Sequence, residues 1–93
     1  MNRTEATALL RHHLDQLEAL GYSALSTRIG ENEVFEERGE TGIAYQLELM
    51  ILWDRRPNEA IRILGSVDEG GLRAFVPLTD SRLVHPQSCP PAY

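Results

Sequence analysis

The sequence predicts an α+β domain: one N-terminal helix packed on a four-stranded antiparallel meander. Three observations predict it. Apolar residues recur every three or four positions over residues 2–20, the period of one helix face. Over Ile43–Asp54 the odd positions Ile43, Tyr45, Leu47, Leu49, Ile51 and Trp53 are all apolar or aromatic, the two-residue period of a strand with one face in a core. Beyond residue 60, two more alternating stretches flank the turn-forming run Asp68-Glu69-Gly70-Gly71.

The helix comes first in the chain. Asn2 is placed to cap it, and Glu5, at the third helical position, to complete a capping-box pair. Ala6, Leu10, His13, Leu14, Leu17 and Leu20 form the apolar stripe, with Arg3, Arg11, Asp15 and Glu18 mostly off it. Gly21 falls where a helix end calls for a left-handed residue, which brings Tyr22 within reach of Leu17. Residues 23–30 show little periodicity and read as a connection. A short strand is expected around Glu33–Arg38, turning through Gly39–Gly42 into the central strand. The even positions of that strand begin polar at Gln46 and Glu48 and turn apolar at Met50 and Leu52.

Pro57 and Asn58 mark the next loop, since proline cannot donate to a ladder. Ala60–Val67 then places Ile61, Ile63 and Val67 on one face, and Arg62, Leu64 and Ser66 on the other. Leu72–Thr79 is expected to return as the last strand. If Asp68 faces Gly71, then Ile63 faces Val76, Ile61 faces Leu78 and Gly65 faces Ala74 on the helix side. Leu64 then faces Phe75, and Arg62 faces Pro77, on the far side. A one-residue slip would mix the two faces. Residues 1–80 are thus read as a single domain, and 81–93 as a C-terminal strap or tail.

Composition narrows the function classes. The 93 residues carry a formal net charge of −5, and all nine basic residues are arginine. That balance argues against direct nucleic-acid binding, which favours a basic stripe. The lone Cys89 excludes an internal disulfide and a cysteine-based zinc site. No metal or cofactor is expected. No stretch has the length and hydropathy of a signal peptide or a membrane span, so a cytoplasmic protein is the expectation.

The segments Y-Q-L-E at 45–48, W-D at 53–54, I-R-I-L-G-S-V-D at 61–68 and G-G-L-R-A-F-V-P-L-T-D at 70–80 resemble a group of small uncharacterised bacterial proteins. The resemblance covers roughly the C-terminal half of the chain. It implies a bacterial α+β domain and, since that group has no established activity, no catalytic residues.

Candidate chemistry is sparse. His12 and His13 are adjacent and point about 100° apart on a helix, which does not suit one shared metal. His13, on the apolar stripe, reads as a hydrogen-bonded and partly buried residue. His12 and Asp15 are helical neighbours and could form an acid/base pair, which is the basis of a third reading as a small enzyme. Cys89, between Ser88 and Pro90, lacks a base held beside it and reads as a bystander thiol. Gly70-Gly71 lacks the following helix and lysine of a phosphate-cradling loop.

Two surfaces carry the functional expectation. Glu31, Glu33, Glu36, Glu37 and Glu40 crowd into ten residues beside the single Arg38. Such carboxylates protect an edge strand from aggregation, and they can also steer a basic partner. In a meander the turns at 38–42 and 68–71 share one end, so Asp68 and Glu69 join the acidic end and Arg55 and Arg56 lie opposite. The leading reading is a binding protein and not an enzyme: an inhibitor, immunity-type or anti-defence protein whose acidic end blocks a basic protein surface. The second surface is the far face of the sheet, with Met50, Leu52, Leu64 and Phe75. One helix cannot cover both faces, so either the strap with Leu83 and Val84 or another chain is needed. The alternative reading is accordingly a homodimeric structural or accessory domain joined through that face.

Overall fold

In the computed structural model, residues 2–69 and 77–86 are described. The elements follow in the order α1 (Arg3–Glu18), α2 (Gly21–Ser26), β1 (Asn32–Arg38), β2 (Ala44–Trp53), β3 (Ile61–Asp68) and β4 (Leu78–Val84). The strands form one antiparallel sheet in the order β1-β2-β3-β4, a meander with the helices on one face. This is the predicted α+β architecture.

The alternation in β2 decides which face is covered. Tyr45, Leu47, Leu49 and Ile51 are buried together with Ile61, Ile63 and Val67 of β3. Ala6, Leu10, Leu14 and Leu17 of α1 and Leu25 of α2 close over them. Gly65, in the middle of β3, permits the closest approach. A Cβ there would stand 2.6 Å from Leu10 Cδ1, 3.2 Å from Leu49 Cδ2 and 3.3 Å from Leu14 Cδ2. The missing side chain therefore sets how near the helix lies to the sheet.

The N-cap is as expected, with the Glu5 amide donating to Asn2 Oδ1 at 2.9 Å. The Glu5 side chain does not return to Asn2 but crosses to the β1–β2 turn. Gly21 takes the expected positive φ, 87°. It opens the short helix α2, however, instead of leading into an irregular connection. Six residues are too few to show a helical period, and the one that anchors them, Leu25, is fully buried. Leu20, placed on the stripe by its spacing, is 46 % exposed because α1 ends before it.

The last strand is the main correction. It is Leu78–Val84 and not Leu72–Thr79, and Ile63 faces Arg82 where Val76 was expected. Gly65 pairs with Asp80, Leu64 with Ser81, Arg62 with Leu83, and Ile61 with Val84. The displacement is six residues, an even number, so the side of each residue is kept and Leu78 still faces the helix. The observed stretch puts Asp80 and Arg82 on the helix side, which looks unfavourable until the partners on α1 are seen. Arg82 reaches Asp15 at 2.9 Å and Glu18 at 3.3 Å, while Asp80 meets Arg82 at 3.3 Å and Arg11 at 3.7 Å. Ser81–Val84, expected in the strap, therefore belong to the sheet. The predicted Gly70-Gly71 turn and residues 72–76 lie outside the described residues, as do 87–93 with Cys89. Pro77 stands just before β4, where its missing N–H costs no ladder bond.

Candidate functional site

Because β1 alternates, its carboxylates divide between the two faces of the sheet. Glu33, Phe35 and Glu37 pair with the core-facing Leu49, Leu47 and Tyr45, whereas Val34 and Glu36 pair with the outward Glu48 and Gln46. Glu37 accepts from His13 Nε2 at 2.6 Å. A carboxylate can only accept, so Nε2 carries the hydrogen. The His13 ring also stands edge-on to Phe35 at 4.9 Å, so this histidine is the half-buried strut between α1 and β1 that its place on the stripe predicted. Glu31 pairs with Arg28 at 2.9 Å. It sits at the other end of β1, where its carbonyl accepts from the Ile51 amide at 3.1 Å.

Three glutamates of the run, Glu33, Glu36 and Glu40, are exposed, and their carboxylates have no hydrogen bond or ion pair among the described residues. Asp68 ends β3 in register with Gln46, and Glu69 follows it, so both stand at the β1–β2 turn end as expected. Arg55 and Arg56 stand at the opposite end, in the β2–β3 loop.

Glu5 organises the turn end. Its carboxylate accepts from the Thr41 hydroxyl at 2.5 Å, the Thr41 amide at 3.1 Å and the Tyr45 hydroxyl at 2.9 Å. The Thr41 hydroxyl is the largest cause of a pKa held below the ordinary carboxylate range; partial burial opposes it. Burial pushes the Tyr45 phenol above its ordinary value, and the neighbouring Glu5 charge adds to the shift. Between the first turns of α1 and the end of β1 runs an open groove of about 560 Å³. Ala8 and Leu9 give it an apolar floor, and Glu37, Arg38 and Glu40 line its sheet side. Neither Glu5 as a latch nor this groove is legible in the sequence, because residues 5 and 41 meet only through the tertiary fold.

On the outer face, Val34, Leu64 and Leu83 are 53 %, 37 % and 36 % exposed. Met50 and Leu52 beside them are half-buried. Leu64 faces Ser81 on β4 and not Phe75, which lies outside the described residues. Arg62 is held here by Asp54 at 2.7 Å and by the Ser81 hydroxyl at 2.9 Å. His12 and Asp15 engage different neighbours: the Asp15 carboxylate takes the Arg82 guanidinium, and the His12 ring stands edge-on to His13 at 5.5 Å. Among the described residues no group of three or more His, Cys, Asp or Glu is arranged to hold a metal ion. No helix among them is long and apolar enough to cross a membrane.

No known family model, curated protein or solved structure matches the chain.

Proposed function

We propose that the protein is a small acidic protein-binding module, of the inhibitor, immunity or anti-defence kind, that occupies a basic surface on a partner protein. The observation that carries this reading is the set of carboxylates along β1 and its turn that have no partner among the described residues: Glu33, Glu36 and Glu40. Where the chain needs carboxylates for its own fold, it pairs them, as at Glu5, Asp15, Glu37 and Asp54. Glu33, Glu36 and Glu40 leave a net negative field along β1 and its turn that raises encounter rates with a basic surface.

The groove beside the turn suits the same partner. An arginine or lysine side chain lays its aliphatic stem on an apolar floor and keeps its charged head at a polar rim. Ala8 and Leu9 supply apolar lining, and Glu5, Glu37 and Glu40 outnumber Arg38 among the charged residues of the groove. Edge protection alone requires charge on β1 but no groove.

The test is affinity capture from a lysate of the source cells with the native protein and with a Glu33→Gln, Glu36→Gln, Glu40→Gln variant. Glutamine keeps size and hydrogen-bonding capacity while removing charge. Glu37 is left intact because it holds His13. The native chain is expected to retain a basic protein that the variant loses, with unchanged thermal stability. Equal retention by both would reduce the acidic run to edge protection.

A further inference from the structure

The outer face of the sheet carries its own pattern of charge. Both described helices pack on the opposite face, so no described element covers Val34, Met50, Leu64 or Leu83. A shallow depression of about 200 Å³ is lined by Met50 and Leu64 together with Glu48, Ser66 and Thr79. Along the strands the charges are ordered around Met50 and Leu64. Glu48, one inter-strand row from Met50, lies toward the β1–β2 turn. Arg62 lies one row away in the other direction, and Arg55 and Arg56 follow in the β2–β3 loop. Arg55 lines a hollow shared with Leu83, which places it at the rim of this face. Asp54 neutralises Arg62 at 2.7 Å, and Glu59 of the same loop, which lines that hollow with Arg55, offsets one of the two loop arginines. The excess positive charge at that end is therefore a single one, carried by Arg55 and Arg56.

An apolar centre with opposite charges at its two ends is complementary to itself under one kind of two-fold rotation. With the axis in the plane of the face and across the strands, rotation turns a second copy over and reverses its strand direction. Each acidic end then meets the arginine end of the other copy, and Met50 and Leu64 meet near the axis. An axis along the strands would bring Glu48 against Glu48, which repulsion disfavours. We infer that the outer face is a dimer interface, with two copies of this chain stacked face to face and their strands running in opposite directions. The inference does not rest on the basic-partner reading. In this arrangement the two β1–β2 turns, with Glu40, project from opposite ends of the pair.

Analytical ultracentrifugation of the full chain, at low salt with reductant to keep Cys89 from cross-linking, reads the association. The native chain is expected to dimerise at high micromolar concentration, and Leu64→Glu to be a folded monomer. Glu48→Arg and the pair Arg55→Glu, Arg56→Glu should each weaken the dimer by about tenfold or more. Mixing those two charge variants in equal amounts should restore native-strength association, because each supplies the sign that the other lost. Arg55 and Arg56 are exposed loop positions, so that variant stays folded whatever the effect at Glu48. A native monomer at high micromolar concentration would overturn the inference. So would a mixture that associates no more tightly than its separate components.

Discussion

Glu5 does more at the residue scale than its position in a capping motif suggests. One carboxylate at the start of α1 takes three donors from the β1–β2 turn and from β2, so the helix and the sheet edge are fixed to each other at that point. The sign of its pH dependence follows from the direction of the shift. Its folded-state pKa is lowered, so its contribution is present above the ordinary carboxylate range and is lost as pH falls through the lowered value. Tyr45 is shifted upward, so its contribution is complete below the ordinary phenol value and is lost as pH rises through the raised one. Urea unfolding should show the native chain more stable than Glu5→Gln at neutral pH. The gap should close as pH falls below the ordinary carboxylate range and the carboxylate protonates. A gap that stayed constant into acid would show that charge on Glu5 is not what the turn recognises. Gly65 makes a second residue-scale prediction. Gly65→Ala pushes a methyl group against Leu10, Leu14 and Leu49, and should cost about 1–3 kcal/mol, read as a lower urea midpoint. An unchanged midpoint would mean that α1 is free to move away from the sheet.

Among the elements, α1, β2 and β3 were legible because each has enough residues to show its period, and β1 because the glycines at 39–42 mark a turn into β2. In β2 the alternation of Tyr45, Leu47, Leu49 and Ile51 identified both the strand and its buried side. β4 was not legible, for a specific reason. Residues 72–79 carry an alternating apolar set, whereas 78–84 hold the polar run Thr79–Arg82 and show no such period. In the observed register Asp80 and Arg82 find Arg11, Asp15 and Glu18 on the adjacent helix, pairings that a strand-by-strand reading cannot see. The contact is partly shielded: burial alone would lower the Arg82 pKa, but the hydrogen bond to Asp15 and attraction to Asp80 outweigh it and hold the pKa above its ordinary value. The candidate acidic site was half legible. Its composition was plain, but which carboxylates are spent on His13 and Arg28 depends on the faces of β1 and on the course of the chain after α2. A double-mutant cycle tests the β4 placement. Asp15 is largely exposed, so Arg82→Ala and Asp15→Ala should show a favourable coupling of only about 0.5 kcal/mol. Additive effects would leave residues 81–84 as the loose strap that the sequence suggested.

At the scale of the whole molecule, the helices cover one face of the sheet, and the exposed carboxylates are not confined to either side: Glu33 lies on the helix side of β1, Glu36 on its outer side and Glu40 in the turn. A formal net charge of −5 is modest. Its effect depends on which carboxylates are already neutralised within the fold. Those with an internal partner contribute little field at a distance, so the unpartnered set on β1 should dominate attraction at long range.

The most direct test of the proposed function is therefore kinetic. Association and dissociation rates of the captured basic partner are measured against rising salt, for the native chain and for the Glu33→Gln, Glu36→Gln, Glu40→Gln variant. The native association rate should fall by about tenfold or more between low and high salt, with dissociation changing little, as electrostatic steering requires. The variant should associate slowly at low salt and show little further dependence. Equal association rates with the same salt dependence in both proteins would contradict the account.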